Sequence, residues 1–319
     1  MLYTARVLSD CRTSSAIGNR RVTTIEVTFP RFILAEVNTH RVLSRNSASS
    51  RAIPTEKLIT NVKQSPFVPL KFNKRVKGMG VGDELNKDAS KASLDAWLWA
   101  RDQAVKAAEI LVEQDVDKSR ANRLLEPFME HTAIITGMEW DNFFALRYHK
   151  HAQPEFELTA RVMLKAMLES DPRELEPGGW SMPMVDPEEL HKTAIFGDTD
   201  WMGEVWPGQD TWDLIWPLIS ASRCARVSYD THENFEEVAR SVERAGMLVG
   251  NGHLSPFEHV VKAPTASELL DLQRLGGNLP GFVQLRKIIP YDWNRVGHLE
   301  GRMSWEEMEI PEIPELVAA

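Results

Sequence analysis

Cysteine is almost absent. The 319 residues contain two, Cys11 and Cys224, too few for a disulfide framework or a four-thiolate zinc site, and a usage that fits a reducing, cytoplasmic setting. No apolar run approaches the ~18 residues of a membrane span, and no charged segment followed by an apolar one stands at the start, so neither a membrane partner nor a secretory leader is expected. Positive charge is in the minority, with 37 Lys and Arg against 46 Asp and Glu. The formal net charge is -9 at pH 7, so a basic cluster is a local feature on an acidic background, and nonspecific nucleic-acid binding is not expected. A glycine-rich dinucleotide loop is also missing. What remains is the composition of a globular protein, 43% apolar and 26% charged, in a chain long enough for one large domain or two ordinary ones.

Periodicity divides the chain. Leu2–Val7 and Val22–Phe29 alternate as strands, with Ser9–Arg20 between them read as a loop. Pro30 opens a helix, and residues 55–89 mix Pro, Gly and Lys as a long connection with little regular structure. Helical spacing runs from Ser90 to Gln114, and a further helix starts near Asp117 and stops at Pro127. An apolar stretch, Trp140–Leu146, leads through a polar turn into a helix from Pro154 to Leu168, where proline suits the first turn. Residues 171–217 hold five of the ten tryptophans and read as a capping insertion or a subunit contact. Phe235–Leu248 is amphipathic. A short helix over Leu269–Leu275, a strand over Phe282–Ile289 and an acidic, frayed tail from Glu306 complete the pass.

The chemistry concentrates in Thr39–Arg51, expected as a polar loop delivered by the preceding helix. It carries His40, Arg41, Arg45 and Arg51 with four serines and Asn46, groups that surround phosphate oxygens well. A solvated, serine-rich loop is the plainer reading. Lys71, Lys74, Arg75 and Lys77 present the same choice between an anion contact and a solvated surface. His149 and His151 lack the further ligands a metal needs, so no metal is expected.

The spacing His40-Arg41-x-x-Ser44-x-Asn46-x-x-Ser49-x-Arg51 resembles the signature of the flavin-dependent thymidylate synthases. Thr39 stands where that signature has a first Arg, Ser47 where it has Glu, Ala52 where it has Tyr, and Glu36 where it has an upstream Gln. Asn142, Arg147, His151-Ala-Gln and Glu155 resemble a second signature of the same family, and Arg123 with Pro127 a third. Cys224–Asp230 and Gly252–His259 are similar to segments that precede the His-Arg motif in the family but follow it here. The resemblance therefore implies a circularly permuted or rearranged member, with 218–262 as the relocated N-terminal segment. It covers residues 22–54, 90–168 and 218–262.

The resemblance implies one α+β catalytic domain over 1–319, with long helices packed on a mixed or antiparallel sheet. It implies methylation at C5 of dUMP with FAD, NADPH and methylenetetrahydrofolate, in a homotetramer. Carried over by position, His40, Arg41, Asn142, His151, Ser228, His253 and Ser255 would contact FAD. Glu36, Thr39, Ser47, Ser49, Ser50, Arg51, Arg123 and Arg147 would contact nucleotide, with Ser49 and Arg147 closest to the chemistry. A thiol nucleophile is disfavoured, because Cys11 is read in a loop without a histidine partner and Cys224 as packing. Thr39 and Glu36 shift local charge by about two units in the negative direction, which makes dCMP a rival substrate and hydroxymethylation a rival outcome. A non-catalytic nucleotide- or flavin-binding relative and an arginine-loop nucleic-acid binder are the alternatives from other classes.

Overall fold

Residues 21–30 alternate apolar and polar side chains, and they form the strand about which the rest is arranged. The structure, a computed structural model, describes residues 2–14, 17–78, 80–191, 196–206, 210–232 and 237–289. Its main sheet has the order β3-β4-β2-β1-β5. The strands are β1 (Thr4–Thr13), β2 (Arg21–Pro30), β3 (Ser44–Ser47), β4 (Glu130–Gly137) and β5 (Arg173–Leu175). All neighbours are antiparallel except β1 and β5. The fold class is α+β.

The period of two gives this sheet two unlike faces. Ile25, Val27, Phe29, Ala133 and Ile135 point one way and pack against Phe156, Ala160 and Met163 of α6 (Pro154–Leu168) and Phe143 of α5 (Asp141–Arg147). Thr24, Glu26, Thr28, Thr132, Ile134 and Thr136 occupy the alternate positions. Ile134 meets Cys224 and Val227 there, beneath α8 (Ile215–Ala225) and the 3₁₀ turn Arg226–Tyr229.

Two further cores flank the sheet. α1 (Leu34–Val37) is a single turn after the 3₁₀ turn Arg31–Ile33. α2 (Thr55–Gln64) and the 27-residue α3 (Lys87–Glu113) enclose Leu58, Val62, Val105 and Phe128, with α4 (Lys118–Ala121) at their end. The other core joins α7 (Asp200–Val205), α8, α9 (Val238–Gly250) and α11 (Leu285–Ile288), with α10 (Leu272–Leu275) preceding α11. A three-stranded sheet of β6 (Trp180–Ser181), β7 (Val261–Lys262) and β8 (Val283–Gln284) ties it to the centre.

Several expectations change. β1 continues through Ser9–Thr13, so Cys11 is a buried strand residue instead of a loop residue. Ser44–Ser47 is an edge strand paired with β4, because backbone pairing outweighs a composition that suggests loop. The helix expected from Pro30 shrinks to two short turns, and α2 occupies the start of the supposed connection 55–89. Phe282–Ile289 is strand only at Val283–Gln284 before it turns helical. The amphipathic helix begins at Val238; the expected start at Phe235 and the acidic tail from Glu306 lie outside the described residues. The tryptophan-rich stretch contributes to the core, since Trp206 is fully buried and its indole N–H donates to the Ile288 carbonyl at 3.2 Å.

Candidate active site

His40 does not project into solvent. It is buried, edge-on to Phe143 with ring centroids 4.9 Å apart. Arg147 Nε donates to its Nε2 at 2.8 Å, which requires a neutral imidazole carrying its proton on Nδ1. Burial lowers the His40 pKa, and the Arg147 and Arg45 charges lower it further. Arg147 lies 4.4 Å above the Phe156 ring and reaches the Thr39 hydroxyl at 3.4 Å, while that hydroxyl donates to the Glu36 carbonyl at 2.6 Å. Arg45 donates to the His40 carbonyl at 2.8 Å. A guanidinium from α5 is thus clamped against the turn before β3.

On the polar face of the sheet, Asn46 is the floor of a cleft of about 840 Å³. Ser228, Tyr229, Met247, His253 and Ser255 line it with one face of α9. The helix supplies Arg240, Glu243, Arg244, Met247 and Asn251 to the cleft at helical spacing, while Ser241, Val242, Ala245 and Val249 face its core. Ser255 also lines a second cleft of about 550 Å³ with Arg41 and Arg45. The two sequence segments meet directly, since the Ser49 N–H donates to the Ser228 carbonyl at 3.0 Å. Nearby, His259 is fully buried and bonds through Nδ1 to Thr136 at 2.8 Å, and Thr136 bonds to Thr24 at 2.7 Å. Burial pushes the His259 pKa down to about 3.

The family model for the thymidylate synthase complementing protein matches residues 15–173. That stretch, just under half of the chain, is similar to this family. The UMP/dUMP methylase PolB from Streptomyces cacaoi, bound with 5-Br UMP, is similar in structure at a TM-score of 0.44 and 16% identity, over 52% of this chain and 89% of that one. Thymidylate synthase X from Helicobacter pylori, with FAD and dUMP, has a TM-score of 0.32 and 18% identity, over 46% and 67% respectively. No curated protein matches the sequence.

The stretch matched to the thymidylate synthase complementing proteins includes β2, β3, β4, α5 and α6. The segments around Ser228 and His253 lie outside it, yet they form most of the cleft above Asn46. Ser49 is half-buried, and its Oγ accepts from the Arg51 N–H at 3.3 Å. The buried Ser50 offers its carbonyl to the Asn122 amide at 2.6 Å, and that amide also holds the Ile53 carbonyl at 2.9 Å. Arg123, next to Asn122, is exposed and paired with Glu126 at 2.8 Å. Ser47 sits half-buried on β3, and Glu36 is exposed.

Asn142 and His151 are not brought to the cleft. Asn142 is exposed on the first turn of α5, and His151 lies with His149 in the turn before α6, their rings 5.1 Å apart. Both cysteines are buried, and burial lifts the Cys224 thiol to about 12. Neither is presented as a nucleophile. The cleft-lining residues of α9 were not anticipated, although their i, i+3, i+4, i+7 spacing opposite the apolar stripe marks an exposed face. Among the described residues, no three His, Cys, Asp or Glu side chains are grouped to hold a metal, and no helix is long and apolar enough to cross a membrane.

Proposed function

We propose that this chain is a flavin-dependent enzyme that methylates C5 of a pyrimidine nucleotide, with methylenetetrahydrofolate as the one-carbon source and NADPH as reductant. The observation that carries this reading is the convergence of Asn46, from the family stretch, with Ser228, His253 and Ser255 in one cleft, behind a chain whose residues 15–173 match the family. The lining fits a flavin. Tyr229 and Met247 present exposed apolar surface, while Asn46, Asn251, Ser228 and Ser255 offer the neutral hydrogen-bonding groups that a ring edge requires. In this reading Asn46, Ser228, His253 and Ser255 hold FAD, which when bound supplies the reducing equivalents.

The protein's own work is to bind and polarise. Arg147 is held by His40, Thr39 and the Phe156 face, and its described hydrogen bonds engage two of five donors. A cation fixed in this way, offered to the cleft of a neighbouring subunit because Arg147 lines neither cleft of its own, would stabilise negative charge on a pyrimidine carbonyl without reorganising during the reaction. The neutral His40 is essential to the clamp, since an imidazolium would repel Arg147. Ser49, Arg51 and Arg123 take the nucleotide phosphate. Residues 218–262 fill the role of a family N-terminal segment in permuted order, and a homotetramer lets neighbouring subunits use Asn142 and His151.

Substrate choice is the finer question. The Thr39 hydroxyl is engaged by Glu36 and Arg147, so this position adds no cation of its own, and a base bearing an amine is tolerated better than an anionic one. The test is an assay of dUMP and dCMP side by side with FAD, NADPH and methylenetetrahydrofolate, with products identified by mass and Arg147→Ala as control. Turnover of either nucleotide that falls at least 100-fold in Arg147→Ala supports the reading. Yellow protein without turnover of either substrate leaves a flavin-binding relative, and absence of flavin binding in the oligomer removes the proposal.

A further inference from the structure

The basic cluster Lys71, Lys74, Arg75 and Lys77 has no part in the two clefts already described. It belongs to an arm, residues 72–85, that folds back on itself. The Lys74 N–H donates to the Asp83 carbonyl at 2.7 Å, the Leu85 N–H to the Phe72 carbonyl at 2.8 Å, and the Asn73 amide to the Gly82 carbonyl at 2.8 Å. A Cβ on Gly82 would lie 2.3 Å from the Lys74 carbonyl oxygen, so glycine is what lets the two limbs close. The base of the arm is fastened to the first turn of α6, where the buried Glu155 carboxylate accepts the Leu70 N–H at 2.9 Å. A carboxylate is costly to bury, and this one holds the arm in a defined place.

Between the arm and the turn after α5 lies a third cleft, of about 600 Å³. Leu70, Val81 and Leu158 give it apolar walls, and Tyr148, 47% exposed, adds an aromatic ring. Lys71, Lys150 and Arg161 also line it, with Glu157 as the carboxylate. Lys71 meets Glu84 at 3.4 Å and Arg161 meets Glu157 at 2.7 Å, pairs open to water of the kind that exchange readily for another carboxylate. Among the described residues no ion pair engages Lys150, Arg75 or Lys77. Lys150 stands in the cleft, and Arg75 and Lys77 continue along the arm that bounds it. Tyr148 and Lys150 follow directly on Arg147, so the cleft opens beside the guanidinium that the functional reading offers to a pyrimidine.

An aromatic slot that leads onto a row of cations suits a ligand with a flat aromatic body and a run of carboxylates. We propose that this third cleft docks the p-aminobenzoyl-γ-glutamyl tail of the folate donor, with its ring against Tyr148 and its successive carboxylates on Lys150 and the arm. The identity of the donor rests on the functional reading; the chemistry of the cleft does not. Exposed cations are individually weak and screened by salt, so affinity is expected to grow with each added glutamate and to fall as ionic strength rises. A chain of net charge -9 repels a polyanion elsewhere on its surface, which leaves the local cations to set the preference for long tails.

The experiment is titration of the full chain by calorimetry with p-aminobenzoyl-monoglutamate and p-aminobenzoyl-γ-triglutamate, comparing Lys150→Glu, the milder Lys150→Gln, Tyr148→Ala and the charge-matched Lys165→Glu on α6. The unaltered chain is expected to bind the triglutamate at least tenfold more tightly than the monoglutamate. Lys150→Glu should erase that preference, Lys150→Gln should reduce it about threefold, and Lys165→Glu should leave it intact, while Tyr148→Ala weakens both ligands by the same factor. Should Lys150→Glu fail to fold, the Lys150→Gln comparison decides. No binding by the unaltered chain, equal affinity for the two lengths, or equal effects of the Lys150 and Lys165 variants overturns the tail site. Length-dependent binding governed by Lys150 in a chain that methylates no pyrimidine keeps the site and removes the methylation reading. Turnover that depends on Arg147, with the same KM for monoglutamyl and triglutamyl donors, keeps that reading and removes the site.

Discussion

The two faces of the central sheet are made by the same strands and do different work. One face is Ile25, Val27, Phe29, Ala133 and Ile135 under α6; the other is a polar lattice in which Thr24, Thr136 and His259 form one chain and Arg6, Glu26 and His232 another. A slip of one residue would exchange the faces, so the apolar side fixes the register that the polar side needs. The apolar face supplies stability through area. The polar face supplies specificity, because hydrogen bonds of defined direction locate the C-terminal segment over Asn46.

The largest expected loss is on the apolar face. Phe29 is fully buried against this core, and Phe29→Ala combines lost transfer energy with a cavity, at about 3–5 kcal/mol. Urea denaturation checks this, and a loss under about 1.5 kcal/mol would show that the face is less tightly packed than described.

Glu26 comes next. Burial alone would raise its pKa, but hydrogen bonds from His232 and a two-pronged contact from Arg6 at 2.7 and 3.0 Å outweigh that and hold it down to about 2, from 4.5. A depressed carboxylate stabilises the fold above its unfolded pKa, and the contribution disappears as pH falls from about 4.5 to about 2. Glu26→Gln is expected to cost about 2–3 kcal/mol at pH 7 and to flatten the acid limb of a stability curve in that window. The buried, neutral His131 and His259, both pushed from 6.5 to about 3 chiefly by burial, add an earlier loss as pH drops below 6.5, because the unfolded chain takes up protons that the native one refuses. Identical acid limbs with and without Glu26 would show that the carboxylate is not the titrating group.

Thr136→Val tests the other chain. Thr136 is the described partner of His259 Nδ1, and His259 Nε2 already lacks a partner among the described residues. Removing the hydroxyl leaves a buried ring without a described bond and Thr24 without its mate, at about 1–3 kcal/mol. The loss should appear as earlier proteolysis of residues 218–262, since that segment is what His259 fastens.

How much of this was legible from sequence depended on whether one face or two were covered. β2 shows its alternation plainly. β4 does not, because Ala133-Ile134-Ile135 is apolar without a break where the strand is covered on both sides, and such a run has no period to read. β3, with the sequence Ser-Arg-Asn-Ser, has no strand preference of its own, and its pairing with β4 comes from a segment some 90 residues away. α2 did carry a signal, Leu58, Ile59 and Val62 on one side, obscured by the Pro, Gly and Lys that follow. The motif residues were identifiable by spacing, but their roles in the clamp were not: His40 is buried only because Phe143, Arg147 and Phe156 converge on it. The cleft above Asn46 was inaccessible for the same reason, as Ser49 and Ser228 touch only after folding.

The smallest expected effect separates polarity that is needed from polarity that is tolerated. Thr28 and Thr132 face each other across β2 and β4 at 2.9 Å, both half-buried, on the same face as Thr136. Among the described residues their hydroxyls bond to each other and to no histidine, so replacing both with valine leaves neither without its mate. Valine keeps the branched shape and favours strand. The double variant is therefore expected to lie within about 0.5 kcal/mol of the parent, whereas Thr28→Val alone strands one hydroxyl and costs about 1 kcal/mol. A double-mutant cycle in urea measures both. If the double variant instead loses as much as Thr136→Val, the polar face acts as one cooperative lattice, and its work extends beyond the place where His259 meets it.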